Sequence, residues 1–157
     1  MNKTLSKEEQ VVDKYLSSNA DAILSLSNYK INQLKTRWRK IYSLNLFKTK
    51  KVWRYNLYDW HVFSWELTQS ISDHKAISKA LGLKDKEWYV WGDRDSSFGV
   101  KVIGITPCNL SNLYEDFILS AIDLSWTIAF THEQCCGPYY CDKKLANFKR
   151  LTHNKSK

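Results

Sequence analysis

The chain has 157 residues, of which 43% are hydrophobic and 25% charged, and its 24 basic and 16 acidic side chains give a formal net charge of +8. This length fits a single domain over 1–157 with frayed tails at 1–6 and 145–157, and the composition excludes extensive disorder. No apolar run is long enough to cross a bilayer, and the first residues lack the apolar core of a signal peptide. We therefore expect a cytoplasmic protein whose four cysteines stay reduced.

The positive charge is concentrated in two stretches. Nine basic residues and no acid lie within 30–54, and six basic residues and no acid lie within 143–157. Such runs are typical of solvated helix faces, and they also suit nucleic acid or an acidic protein partner. The candidate basic patch consists of Lys35, Arg37, Arg39, Lys40, Lys48, Lys50, Lys51 and Arg54. Nucleic acid thus remains an open possibility as a partner through this patch.

Two helices are predicted at the N-terminus. Ser6 followed three residues later by Glu9 is a capping box, which predicts the start of the first helix. A second helix is predicted from about Asn28, and its apolar residues recur at three- and four-residue steps. This stripe consists of Ile31, Leu34, Trp38 and Ile41. Trp38 is therefore assigned to the core and not to a surface platform.

Alternation of aromatic and apolar residues predicts β-strands in most of the remaining chain. The predicted strands are 52–57, 60–67, 88–91, 100–105, 117–122 and 126–131. On a strand over 60–67, His61, Phe63 and Trp65 would share one face, opposite Trp60, Ser64 and Glu66. We also expect Phe63 to share a core with Trp126.

A short third helix is predicted to begin at Asp73 and to end at Gly82. Its predicted buried face consists of Ala76, Ile77, Ala80 and Leu81. Two N-terminal helices and this third helix, combined with mostly sequential strands, predict an α+β fold with helices packed on an antiparallel sheet.

The most unusual segment is 131–141, which places a histidine, a glutamate, three cysteines and two tyrosines around a Gly-Pro turn. The soft ligands that zinc prefers are all present, as His132, Cys135, Cys136 and Cys141. Two of these cysteines are contiguous, however, and this spacing is wrong for a closed tetrahedral site. We therefore expect no metal and no other cofactor.

Nucleophilic catalysis has little support in the sequence. Cys136 could pair with His61 or His132, but nothing in the spacing fixes that geometry. The chain has neither a Gly-x-Ser-x-Gly elbow nor a glycine-rich phosphate loop. The candidate catalytic residues, should the protein be an enzyme, are His61, Glu66, His132, Glu133 and Tyr139.

Two blocks of the chain carry a family resemblance. Residues 58–66 (YDWHVFSWE) resemble the WHxFS(Y)E block of a family of small bacterial proteins found in bacilli and related Firmicutes. Residues 126–133 (WTIAFTHE), followed by GPY at 137–139, resemble that family's WTxxxTHE and GPY(F) block, and 34–41 resembles its preceding helix. The sequence departs from the pattern at Trp65 and Tyr140. Because this family is a domain of unknown function, the resemblance implies shared positions for His61, His132 and Glu133 but no activity.

These observations favour a non-catalytic protein-binding module, such as a toxin-neutralising immunity protein, over a small enzyme with a His/Glu/Tyr pocket or a nucleic-acid-binding protein. The candidate binding residues are Trp60, His61, Ser64, Trp126, Thr131, His132, Glu133, Gly137, Pro138 and Tyr139. We expect the two blocks to be close in space. A carboxylate from Glu133 near His61 would then raise the pKa of that histidine.

Overall fold

The computed structural model describes residues 5–43, 58–94, 96–113, 115–133 and 135–147. The helices are α1 (Lys7–Asn19), α2 (Asn28–Tyr42), α3 (His61–Ser64) and α4 (Asp73–Leu81), with a short 3₁₀ helix at Ser111–Leu113 and helical residues at 143–147. The strands are β1 (Ala22–Ser25), β2 (Ile71–Ser72), β3 (Glu87–Gly92), β4 (Gly99–Ile103), β5 (Phe117–Ala121), β6 (Trp126–Ala129) and β7 (Tyr139–Asp142). The predicted α+β class is confirmed.

All seven strands form one sheet in the order β1-β4-β3-β5-β6-β7-β2, and every neighbouring pair is antiparallel. The predicted hairpins β3–β4 and β5–β6 lie at its centre, and β3 pairs with β5 along its length, from Trp88 opposite Ala121 to Gly92 opposite Phe117. Both edges are short strands that the sequence did not predict. β1 pairs with β4, and β2 adds two residues alongside β7.

The N-terminal helices begin where the sequence predicts. Ser6 and Glu9 make both bonds of the capping box of α1, and the side chain of Ser27 accepts the Lys30 N–H at the start of α2. α2 buries most of its predicted stripe, and Trp38 is only 1% exposed. Its assignment to the core is confirmed.

The sheet has helices on both faces and therefore two apolar layers. α1 and α4 cover one layer, which contains Trp126 and Phe130. α2 and α3 cover the other, which contains Trp38 and Phe63. The predicted burial of Trp126, Ile128 and Phe130 is confirmed. The prediction that Phe63 and Trp126 share one core is wrong, because the sheet separates them.

Residues 60–67 do not form the predicted strand, because this segment folds into the single turn α3. The buried carboxylate of Asp93 accepts the backbone N–H groups of Asp59 (3.0 Å) and Trp60 (3.1 Å), which fixes the start of that turn. The side chains of His61 and Trp65 therefore stack one helical turn apart, with ring centroids 5.0 Å apart. Because this segment is not a strand, the prediction that His61 and Trp65 lie on the face opposite Trp60 and Glu66 is also wrong. The other predicted strand of this region, 52–57, lies outside the described residues.

α4 matches its predicted bounds and ends at Gly82, although Ser72 and not Asp73 is its N-cap. Ala76 and Ala80 are buried as predicted, but Leu81 is 55% exposed. Leu81 belongs to the solvent side of the helix, so its assignment to the buried face is wrong. Among the residues described, every helix is too short or too polar to traverse a lipid bilayer.

Candidate functional site

The two sequence blocks meet at the carboxylate of Asp116, which directly precedes β5. Its Oδ1 accepts the indole N–H of Trp60 (2.9 Å) from the first block and the backbone N–H of His132 (3.1 Å) from the second. The Nδ1 atom of His132 lies 2.8 Å from Oδ2 of the same carboxylate. Asp116 therefore joins a turn at the end of β6 to the loop that enters α3.

Four neighbouring rings from the two blocks form a cluster next to this carboxylate, and we call this cluster the aromatic–histidine surface. The four rings are the side chains of Tyr58, His61, Trp65 and His132. The ring centroids of Tyr58 and His132 are 5.2 Å apart, and those of Tyr58 and His61 are 5.9 Å apart. Trp65 is 40% exposed, and the side chain of His132 is 43% exposed.

Buried rings support this surface from below. Trp60 is 1% exposed and its ring centroid lies 4.1 Å from that of His61. Trp60 also stacks on Tyr139 at a centroid distance of 6.3 Å and an interplanar angle of 12°. The surface rings thus rest on two large buried side chains from separate blocks, which leaves them little freedom to rearrange.

Burial makes His61 a weak base. Partial burial lowers its pKa below the usual value, and the opposing effects of the Glu133 and Asp116 carboxylates are smaller. Its Nδ1 atom is buried and has no hydrogen-bond partner among the described residues. Glu133 acts on the His61 pKa in the expected direction, but the net pKa is lowered because desolvation of the imidazolium outweighs the attraction of the carboxylates.

The Asp116–His132 pair has the arrangement of an acid–base dyad. A carboxylate at Nδ1 favours the tautomer that carries its proton there, which leaves Nε2 as the basic nitrogen. His132 was predicted from the sequence as a site residue, whereas Asp116 was not. Acidic residues before a strand are common and carry no distinctive local pattern, and Asp116 approaches His132 only because β5 pairs with β6.

The turn that follows His132 is held by a threonine. The hydroxyl of Thr131 lies within hydrogen-bond distance of the backbone oxygens of Glu133 (3.1 Å) and Cys136 (2.9 Å), and the Cys136 N–H donates to the Glu133 oxygen (3.1 Å). Gly137 has a φ of +73°, and a Cβ atom there would lie 3.0 Å from the ring of Tyr139. A side chain at this position would therefore be strained and crowded.

A cavity of about 300 Å³ lies beside this turn. Glu133, Cys136 and Pro138 line one side of it, and Asp73 and His74 at the start of α4 line another. Two adjacent residues of the second block therefore belong to different sites. His132 belongs to the aromatic–histidine surface, and Glu133 faces the cavity.

The cysteines of 131–141 do not converge on one point. Sγ atoms of Cys135 and Cys136 are 3.6 Å apart, but Cys141 is buried and its thiol donates to the Gln69 backbone oxygen at 3.2 Å. His132 is turned toward Asp116 instead. Burial, together with neighbouring Cys135 and Glu133, raises the pKa of Cys136 to about 11. This thiol stays protonated near neutral pH and is a poor nucleophile.

Three further predicted site residues are not among the rings of the aromatic–histidine surface. Trp126 is on the opposite face of the sheet, where its indole N–H donates to Asp85. Glu66 is exposed and follows α3 with a φ of 54°. The hydroxyl of Ser64 donates to the backbone oxygen of His61 at 3.3 Å, within its own turn. The polar atoms of Trp126 and Ser64 are therefore used in hydrogen bonds within the fold.

The basic patch is partly used inside the fold. Lys35 is only 5% exposed, and its ammonium donates to the backbone oxygens of Arg94 (2.6 Å) and Ser96 (2.9 Å). Arg39 pairs with the Asp59 carboxylate at 2.9 Å. The assignment of Lys35 to an exposed patch is therefore wrong, because its charge stabilises the β3–β4 turn. Arg37 and Lys40 are exposed, and Lys48, Lys50, Lys51 and Arg54 lie outside the described residues.

A pair of buried carboxyl groups lies beneath the site. Asp59 and Asp93 are 5% and 4% exposed, and Asp93 accepts the Asp59 backbone N–H. Burial and the nearby charge of Asp59 raise the pKa of Asp93, although three backbone N–H groups oppose the rise. Arg39 forms an ion pair with Asp59, so a cation is in direct contact with one of the two carboxyl groups.

Comparison with known proteins adds no relative to this description. No protein-family model matches the chain, and neither curated proteins nor solved structures show a significant match to it. The resemblance of the two blocks to the bacterial family named above stays a prediction. The fold and the site define an α+β protein that carries a rigid aromatic and histidine surface at one end of an antiparallel sheet.

Proposed function

We propose that the protein is a non-catalytic protein-binding module that presents the aromatic–histidine surface to a partner protein. One observation carries this proposal: the four rings contact one another in a cluster at the surface, and Trp60 and Asp116 hold that cluster in place. Tryptophan and tyrosine are the residues that most often dominate binding energy at interfaces. Rings held in place before binding lose little conformational entropy when the partner docks.

The charge around the surface indicates what kind of partner would fit it. Asp116 and Glu133 both act electrostatically on His61, and Glu115 lies beside Asp116 in the chain. A basic segment on the partner would complement these acids and would be steered toward them. More specifically, we propose a cytoplasmic immunity protein that neutralises a toxin, because such a protein acts by covering the surface of its target.

Co-expression with the products of adjacent genes tests this proposal. Each neighbouring gene product is expressed with and without this chain, and growth of the host and the dissociation constant of the purified pair are measured. We expect one product to inhibit growth, rescue by this chain, and tight binding. Trp65→Ala should weaken binding by about 2 kcal/mol, or roughly 30-fold.

Leu81→Ala is the matched control, because Leu81 is also an exposed large apolar residue but belongs to α4 on the opposite face of the sheet. It should leave the dissociation constant unchanged. Equal binding by wild type and Trp65→Ala would contradict the role of the aromatic–histidine surface.

The Asp116–His132 dyad favours a second candidate function, a small hydrolytic enzyme. In that case Nε2 of His132 would act as the general base toward a water molecule or a substrate hydroxyl. A panel of nitrophenyl esters and phosphates tests this candidate. Turnover that falls equally in His132→Gln and Asp116→Asn would support catalysis, and no turnover of any member would favour the binding role.

A further inference from the structure

Glu133, Cys135 and Cys136 bring three metal-ligating groups together on the turn after β6. A carboxylate oxygen and the two Sγ atoms all lie within 4.8 Å of one another. Cys135 and Cys136 are contiguous, yet the turn places their Sγ atoms 3.6 Å apart, on the same side of the backbone. None of these three groups is a ring of the aromatic–histidine surface, although the Glu133 carboxylate also contributes to the negative charge beside it.

The sulfur separation matches what a tetrahedral zinc ion requires. Zinc–sulfur bonds are about 2.3 Å long, and two such bonds at the tetrahedral angle place the sulfur atoms about 3.8 Å apart. The observed 3.6 Å needs almost no adjustment. A carboxylate oxygen is also a common zinc ligand, and sites with three protein ligands leave a fourth position open for water.

We propose that Glu133, Cys135 and Cys136 form an open three-ligand site for Zn²⁺, which goes beyond the protein-binding function. The ion binds both cysteines as thiolates, so binding releases the thiol protons to solvent. The site differs from the closed four-ligand site that the sequence excludes, because neither His132 nor Cys141 takes part. His132 is held by Asp116, and the Cys141 thiol is bonded to Gln69. Glu133 is the third ligand that the cysteine spacing alone did not reveal.

The turn fixes the ligands before any ion arrives. The Thr131 hydroxyl contacts the backbone oxygens of Glu133 and Cys136, and a backbone hydrogen bond closes the loop between those two residues. Glu133 and Cys136 also line the cavity of about 300 Å³, together with Asp73 and His74. This cavity has room for a water molecule or an external group in the fourth position.

Titration of the reduced, full-length protein with Zn²⁺ tests the site. We expect isothermal calorimetry to show one ion per chain and Co²⁺ substitution to give the visible absorption of a tetrahedral thiolate complex. Cys135→Ser, Cys136→Ser and Glu133→Gln should each weaken binding more than about tenfold, since even a supporting residue of a metal site contributes that much. Cys108→Ser is the control, because Cys108 is a free cysteine elsewhere in the chain, and it should bind Zn²⁺ like wild type.

Circular dichroism of each variant shows whether it is folded. Should a variant fail to fold, wild-type protein with Cd²⁺ provides the second measurement, through the ultraviolet band of a cadmium–thiolate bond. Absence of that band would overturn the proposal, and so would Zn²⁺ binding that survives in the Cys135→Ser/Cys136→Ser double variant. Trp65→Ala should keep its Zn²⁺ affinity, so failure of this site and failure of the protein-binding function are distinguishable.

Discussion

Thr127 links helix α2 to the middle of the sheet, and its replacement measures what that link contributes. The Thr127 hydroxyl accepts the indole N–H of Trp38 at 2.8 Å and donates to the Leu119 backbone oxygen at 2.9 Å. Thr127 is 0% exposed and Trp38 is 1% exposed. Thr127→Val keeps the shape of the side chain and leaves the indole N–H buried without its acceptor.

The expected cost follows from that orphaned group. A buried donor that loses its acceptor destabilises a protein by about 1–3 kcal/mol, and so the free energy of unfolding should fall by this amount. In a Trp38→Phe background the donor is already absent. There Thr127→Val should have almost no effect, because replacing both partners with apolar groups can be nearly neutral. The difference between the two backgrounds is the coupling energy of the pair.

Urea unfolding of the four proteins in this cycle gives the free energies by linear extrapolation. Thr36→Val is the matched control, because Thr36 is exposed on α2, and it should change stability by less than about 0.5 kcal/mol. An equal loss from Thr127→Val in both backgrounds would refute the reasoning, since the loss would then not depend on the indole.

Three further predictions test the core, a helix end and the buried acids. Trp126→Ala should lower the free energy of unfolding by about 3–5 kcal/mol, and a melting curve like that of wild type would contradict its core position. Ser6→Ala removes the α1 cap and should cost about 0.5–2 kcal/mol in urea unfolding; no loss would show that the capping box is not stabilising. The raised pKa of Asp93, from 3.8 to about 7, means that the folded state binds a proton which the unfolded chain releases between these values. Its contribution to stability therefore falls as pH rises through that range. In wild type, the melting temperature should therefore decrease as pH rises through this range, and in Asp93→Asn the decrease should be smaller. The same decrease in both proteins would contradict the raised pKa of Asp93.

The sequence predicted well those elements whose signals are local. The capping box at Ser6 and the apolar stripe of α2 lie within the elements that they define. The central hairpins were predictable because each one pairs strands that are close in the chain. The edge strand β1 was not, because it is four residues long and its pairing partner β4 lies far away in the sequence.

The error at 60–67 has a different physical origin. Aromatic residues alternate there as they would on a strand, but the Asp93 carboxylate holds the backbone of Asp59 and Trp60 in a turn. A contact between residues so far apart leaves no local pattern. Asp116 was not predicted for the same reason, because its contact with His132 spans 16 residues of the chain. The second block could be predicted as a site because its unusual residues are adjacent in the sequence.

The strand order also determines how the sheet can assemble. The hairpins β3–β4 and β5–β6 close short loops, whereas β1 and β2 must bring distant parts of the chain to the two margins. Closing a longer loop carries a larger entropic penalty, and folding slows as contacts become less local. The four central strands should therefore form first in refolding. The turn that contains Glu133 connects β6 to β7, which also pair locally, so this turn should acquire its geometry before the edge strands β1 and β2 dock.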